Sequence, residues 1–144
     1  MSEPKVTYVN KAKVIKIVDG DTLRLDVDVG YTMRCQRDVR LSRVDTPEIR
    51  GSESVAGKYV HDRVREFLKS SEYVTIESKE YSTGKYGRNL CEVWSDGKCL
   101  NQWLLDMRYG WPTGEGGRME MPRNVEWLDL PDGVKRKWLE ELQK

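Results

Sequence analysis

Between residues 23 and 29 the chain alternates without a slip, with Leu23, Leu25, Val27 and Val29 on one parity and Arg24, Asp26 and Asp28 on the other. A period of two turns one face toward a core and the other toward water, so the fold is built on a half-buried sheet. The flanking residues extend that sheet. Lys13–Val18 is rich in β-branched residues and reads as a first strand, and Asp19-Gly20-Asp21 interrupts it as a tight turn or bulge. Gly30 turns the chain again, and Tyr31–Val44 reads as a third strand long enough to bend around a barrel. Its parity separates Arg34 and Arg40 from Arg37 and Arg43, so these four arginines do not form one patch, and two of them are expected to be solvated edge charges.

Residues 49–58, with their glycines and serines, read as a mobile surface loop. Val60, Val64, Phe67 and Leu68 then recur at i, i+4, i+7 and i+8, the stripe of a helix laid on a sheet. Tyr73–Ser78 is a fourth strand. Leu90–Trp94 and Lys98–Leu100 pair across Ser95-Asp96-Gly97, which sets Cys99 opposite Trp94. Asn101 is a candidate cap for a helix running to about Arg108, with Leu100, Trp103, Leu104 and Met107 as buried positions. Gly114, Gly116 and Gly117 read as an open connection, and a last helix near Val134–Gln143 places Val134, Trp138, Leu139 and Leu142 on one side. This order of elements predicts an α+β fold, mainly β, built as a five-stranded barrel with two to three flanking helices.

A chain of 144 residues suits one core, so a single domain is expected over 1–144, with its core at about 13–112 and a loop-and-helix tail at 113–144. A net charge of +1 excludes a uniform basic field, and any recognition of phosphate must be local. No apolar run reaches transmembrane length, and residues 1–13 carry no apolar signal core, so no membrane is expected. Cys35, Cys91 and Cys99 form no C-x-x-C pair, and free thiols point to a cytoplasmic setting.

The chemistry concentrates at Val39–Glu48, where a strand carrying Arg40 runs into Asp45-Thr46-Pro47-Glu48. Proline has no amide hydrogen for a ladder and restricts Thr46 to extended conformations, so one stiff turn presents two carboxylates. Asp21 and Asp45 are carboxylates at strand ends in different parts of the chain, placed to converge on one site. Arginine suits a phosphate because its fork matches two oxygens at once and does not lose its proton.

Asp19-Gly20-Asp21-Thr22, Arg40, Asp45-Thr46-Pro47-Glu48 and Lys85-Tyr86-Gly87-Arg88, in this order, resemble the staphylococcal nuclease (thermonuclease-like) family from about Lys13 to about Tyr109. The resemblance implies an oligonucleotide-binding (OB-fold) barrel and a calcium-dependent phosphodiesterase that cuts DNA or RNA, favours single-stranded or frayed substrate and leaves 3′-phosphates. It implies that Asp21, Asp45 and the carbonyl of Thr46 hold Ca2+, with Asp19 behind them. Glu48 is the implied base or water orienter, and Arg40 and Arg88 the implied stabilisers of transition-state charge. Lys85 and Tyr86 match positions that hold a terminal phosphate and stack near the base, and Trp111 is the candidate for a further stacking platform. His61 has no partner in this pattern and reads as a surface helix residue. The competing class is a barrel of the same fold that binds nucleic acid or peptide without cutting it. Trp127 and Trp138, if exposed, would instead let the tail dock an otherwise monomeric enzyme onto a larger assembly.

Overall fold

A computed structural model describes residues 3–4, 7–80, 89–114, 117–119 and 125–144. Strands β1 (Val9–Asp19), β2 (Thr22–Gly30) and β3 (Met33–Leu41) form an antiparallel meander. After a helix, β5 (Val74–Glu80) returns along β1, and β6 (Asn89–Ser95) returns along β5. Parallel pairing of β6 with β3, Val39 opposite Asn89 and Leu41 opposite Cys91, closes the sheet into the expected five-stranded barrel. The inward parity of the alternation fills it: Leu23, Leu25, Val27, Val39, Leu41, Val74, Ile76, Cys91 and Val93 are buried. Each such side chain taken from water contributes on the order of 1.5–3 kcal/mol. Two register shifts in β1, at Val14–Lys16 and Ile17–Asp19, add the local bend that closure requires.

The third strand is shorter than the sequence predicts. Tyr31 and Thr32 are turn residues with φ of 53° and 60°, and the strand stops at Leu41. Arg43 has φ of 71°, because its guanidinium is drawn back to Glu92 and Gln102 and the chain must reverse to reach them. The chain then resumes as a two-residue strand, β4 (Val44–Asp45).

Helix α1 (Ser54–Leu68) buries Ala56, Gly57, Val60, Val64 and Leu68. The loop expected at 49–58 is thus mostly helical, a 3-10 turn over Gly51–Glu53 running directly into α1. Ser54, Ala56 and Gly57 are contact residues there, whereas Gly51 and Ser52 stay exposed. Strand β7 (Lys98–Cys99) completes the hairpin with Cys99 opposite Trp94, as the two-residue turn requires. Helix α2 spans Leu100–Asp106, so Asn101 lies inside it and Cys99 holds the capping position. Asn101 accepts from Val93 N and donates to the Ser42 and Cys91 carbonyls, tying α2 to the barrel seam. Leu100 and Leu104 are buried, whereas Met107 is exposed.

The expected open connection after Gly114 is a hairpin. Strand β8 (Trp111–Gly114) pairs with β4, Asp45 opposite Trp111, and β9 (Gly117–Arg118) pairs with β8. Helix α3 (Asp132–Leu142) buries Trp138, whose ring meets that of Trp111 at 6.1 Å. Trp127 is half-buried and donates its indole N–H to Gly110 O. Trp138 is thus occupied in packing and Trp127 partly so. Among the described residues no helix is long and apolar enough to cross a membrane, and Cys35, Cys91 and Cys99 are free thiols.

Candidate active site

The β1–β2 turn places Asp21, the end of β3 places Arg40, and β4 delivers Asp45 beside them. Asp21 is buried, and its Oδ2 accepts from Thr46 N at 2.9 Å and pairs with Arg40 Nη1 at 3.1 Å. Its Oδ1 accepts from the Thr22 hydroxyl at 3.1 Å. The other arm of the same guanidinium reaches Asp45 Oδ1 at 3.0 Å. One planar fork therefore spans both carboxylates, a geometry that lysine's single ammonium does not offer.

The loop that carries Glu48 is held by close approach. A β-carbon at Gly57 of α1 would sit 2.0 Å from Glu48 O, and one at Gly110 would sit 2.9 Å from Asp45 O. Asp19 accepts from Ile49 N at 3.4 Å, which fixes the far side of the loop. Glu48 itself is exposed and lines a cleft of about 390 Å³ with Lys16, Asp19, Ile49, Arg50 and His61. His61 is half-buried and bonded to Ile17 O at 2.7 Å, so it joins α1 to β1 and touches none of the acids just described.

Burial pushes the Asp21 carboxyl up to about 7; Arg40 opposes the shift, and a hydrogen bond shared with Asp45 adds to it. Asp45 is also penalised by burial, but the shared bond to Asp21 and the guanidinium groups of Arg118 and Arg40 outweigh that and hold it below the usual carboxylate range. Burial, with the nearby Asp19, Asp45 and Glu53, raises the proton affinity of Glu48.

Two residues of the site carry no signal in the sequence pattern. Glu53 is buried and accepts from Glu48 N at 3.0 Å. Arg118 donates Nε to Asp45 Oδ2 at 2.5 Å and its Nη atoms to Glu53 at 2.6 and 2.8 Å. Trp111 lies under Arg118, 3.7 Å from guanidinium carbon to ring centre, and is wholly buried, so it is no stacking platform for a base. Lys85, Tyr86 and Arg88 lie outside the described residues.

Asp21, Asp45 and the Thr46 carbonyl offer only oxygen donors, in a cluster where Asp19, Asp21, Asp45, Glu48 and Glu53 outnumber Arg40 and Arg118. Burial, with the Asp45 carboxylate beside it, raises Asp21, and a hard divalent cation there would offset that penalty on its charged form. Among the described residues no three His, Cys, Asp or Glu side chains gather closely enough to hold an ion alone, so the carbonyl and water would have to complete the shell.

The family described as staphylococcal nuclease homologue matches residues 38–114, just over half of the chain. A curated relative, the thermonuclease of Staphylococcus hyicus, is 33% identical over 95 residues, 64% of this chain and 53% of that protein. The chain thus spans about half the length of the relative it matches. With acids, arginine and barrel arranged as above, the chain belongs to the staphylococcal nuclease homologue family.

Proposed function

We propose that this protein is a calcium-dependent phosphodiesterase that hydrolyses DNA or RNA, favours single-stranded or frayed substrate and leaves 3′-phosphates. One observation carries the reading: Arg40 bridges Asp21 and Asp45 at 3.1 and 3.0 Å, and the exposed Glu48 follows Asp45 by three residues. A barrel that only bound nucleic acid would have no need to hold one buried and one half-buried carboxylate under one arginine beside a third at the rim.

Asp21, Asp45 and the Thr46 carbonyl would hold the cation. Bound there, calcium supplies positive charge to the phosphate oxygen as the phosphorus is attacked. Arg40, once its carboxylates have that partner, presents its fork to the ester oxygens and stabilises the charge that builds on them. Glu48 accepts a proton from the attacking water, and its raised proton affinity makes it the stronger base for that step. Water's oxygen bonds to phosphorus, the bond to the 5′-oxygen breaks, and that oxygen takes a proton from solvent. Arg88, Lys85 and Tyr86 are assigned to the opposite side of the phosphate and to the terminal phosphate and base by family resemblance. Asp19 positions the Glu48 loop through Ile49 N.

The test compares single-stranded DNA incubated with calcium or with chelator, using the wild type, Arg40→Ala and Glu48→Ala. Each variant is expected to lose at least about a hundredfold in turnover while remaining folded by circular dichroism, as for loss of a charge-stabilising group or a general base. A folded variant cutting at the wild-type rate would overturn its assigned role, and equal cleavage in chelator would remove the metal.

A further inference from the structure

The C-terminal hairpin reaches into the acid cluster from beyond the family-matched stretch, which ends at residue 114. The single guanidinium of Arg118 spans Asp45 and both carboxylate oxygens of Glu53, and Glu53 in turn accepts the amide of Glu48. Both side chains are largely withdrawn from water, Arg118 at 13% and Glu53 at 9% exposure. The indole of Trp111 fixes the plane of the fork from below. The backbone is secured as well, because β9 pairs with β8, and β8 with the strand that ends at Asp45. None of the roles assigned above uses Arg118 or Glu53. Buried ion clusters contribute little net stability, since desolvation offsets most of the attraction, but they fix geometry sharply. Here the geometry fixed is that of a proposed metal ligand and of the loop carrying the proposed base.

We infer that Arg118 is a positioning residue of the phosphodiesterase site, orienting the Asp45 carboxylate directly and Glu48 by way of Glu53. The segment beyond the family-matched stretch is then part of the catalytic apparatus. The inference rests on the nuclease reading for its catalytic half, whereas the brace itself is a matter of geometry. Misplacing a base by about an ångström is enough to lower turnover by as much as a hundredfold. Substrate affinity should move little, because Arg118 is committed to two carboxylates.

Two variants test this. Arg118→Lys keeps the charge but replaces the fork with a point donor that does not span three oxygens. Arg118→Ala would leave Glu53 buried without a counter-charge and could unfold the chain, so Arg118→Met/Glu53→Gln serves as the second probe, removing both charges of that pair at similar volume while Arg40 remains to partner Asp45. Both are expected to fold and to lose at least about tenfold in kcat with KM within about threefold. In both, hydrogen exchange at the Glu48 amide should quicken at least about tenfold, while the Val39 and Val93 amides of the barrel keep wild-type rates. A folded variant with wild-type kcat overturns the inference, even where exchange quickens. Unchanged Glu48 exchange overturns it as well. If the wild type cuts no nucleic acid with calcium, the nuclease reading fails. The exchange measurement needs neither metal nor substrate, and it still decides whether Arg118 holds Glu48 in place.

Discussion

The carbonyl oxygen of Glu48 packs directly onto Gly57, with no room between them for a β-carbon: one placed there would stand 2.0 Å from that oxygen. Gly57→Ala must therefore move either α1 or the acid loop. Alanine is intrinsically better in a helix by about 1 kcal/mol, so propensity alone predicts stabilisation. The expected result is the reverse, a loss of about 1–3 kcal/mol by urea unfolding and at least about a tenfold loss of nuclease turnover. Gly133 of α3, where an added β-carbon meets nothing within 4 Å, is the control. Gly133→Ala should leave turnover unchanged and stability equal or slightly higher.

Asp21 predicts an unusual pH dependence. Its carboxyl stands at about 7 in the folded chain against an ordinary value of 3.8, chiefly because it is buried. The folded chain therefore keeps a proton that the unfolded chain releases. The stability tied to Asp21 is whole below about pH 4 and is lost as pH climbs toward 7. In chelator, Asp21→Asn should be more stable than the wild type at pH 8 by about 1–3 kcal/mol, with the gap closing toward pH 4. Asp45 and Glu92, held below the usual carboxylate range, act in the opposite window, contributing above it and losing that contribution as pH falls. Urea unfolding of both proteins from pH 4 to pH 8 checks the sign.

Calcium should reverse that penalty. At a hundredfold excess over its dissociation constant, a ligand of the folded state adds about 2.7 kcal/mol. The gain should be larger at pH 8 than at pH 5, because Asp21 must lose its proton before it can ligate a cation. Thermal unfolding with calcium or chelator measures this. Equal shifts at the two pH values would separate Asp21 from the metal.

Asn101 should be far costlier to replace than a helix cap. It bonds to Val93 N, Ser42 O and Cys91 O while wholly buried. Asn101→Ala strands those backbone groups, and a loss of about 3 kcal/mol or more is expected by urea unfolding.

What the sequence makes legible is what short-range physics decides. The alternation from Leu23 to Val27, the turn before Asp21, the α1 stripe and the Cys99–Trp94 register all follow from residues close together in the chain, and the structure has each of them, although Val29 at the strand end is exposed. The meeting of Asp21, Arg40 and Asp45 was readable only because several motifs stand in one order. The remainder depends on distant partners. Nothing near Arg43 says that Glu92 will turn it back and end β3 at Leu41. Asn101 has the type of a cap, yet its partners lie on the barrel seam. Glycine and serine at 51–57 look like a mobile loop, whereas Gly57 is small because Glu48 lies against it. Arg118 follows a glycine-rich stretch that has no period, and only the pairing of β8 with β4 brings it to Asp45.

Because β3 and β6 are some fifty residues apart in the chain, closing the barrel seam carries the entropic cost of the long loop between them. Arg40 stands on that seam opposite Leu90, so the charge-clamping end of the molecule and the closure of the barrel share one strand. Cys91, buried directly across from Leu41, gives a chemical clock for the event: its thiol becomes alkylatable only when the seam parts. A labelling rate at Cys91 would thus report how often the molecule dismantles its own active end.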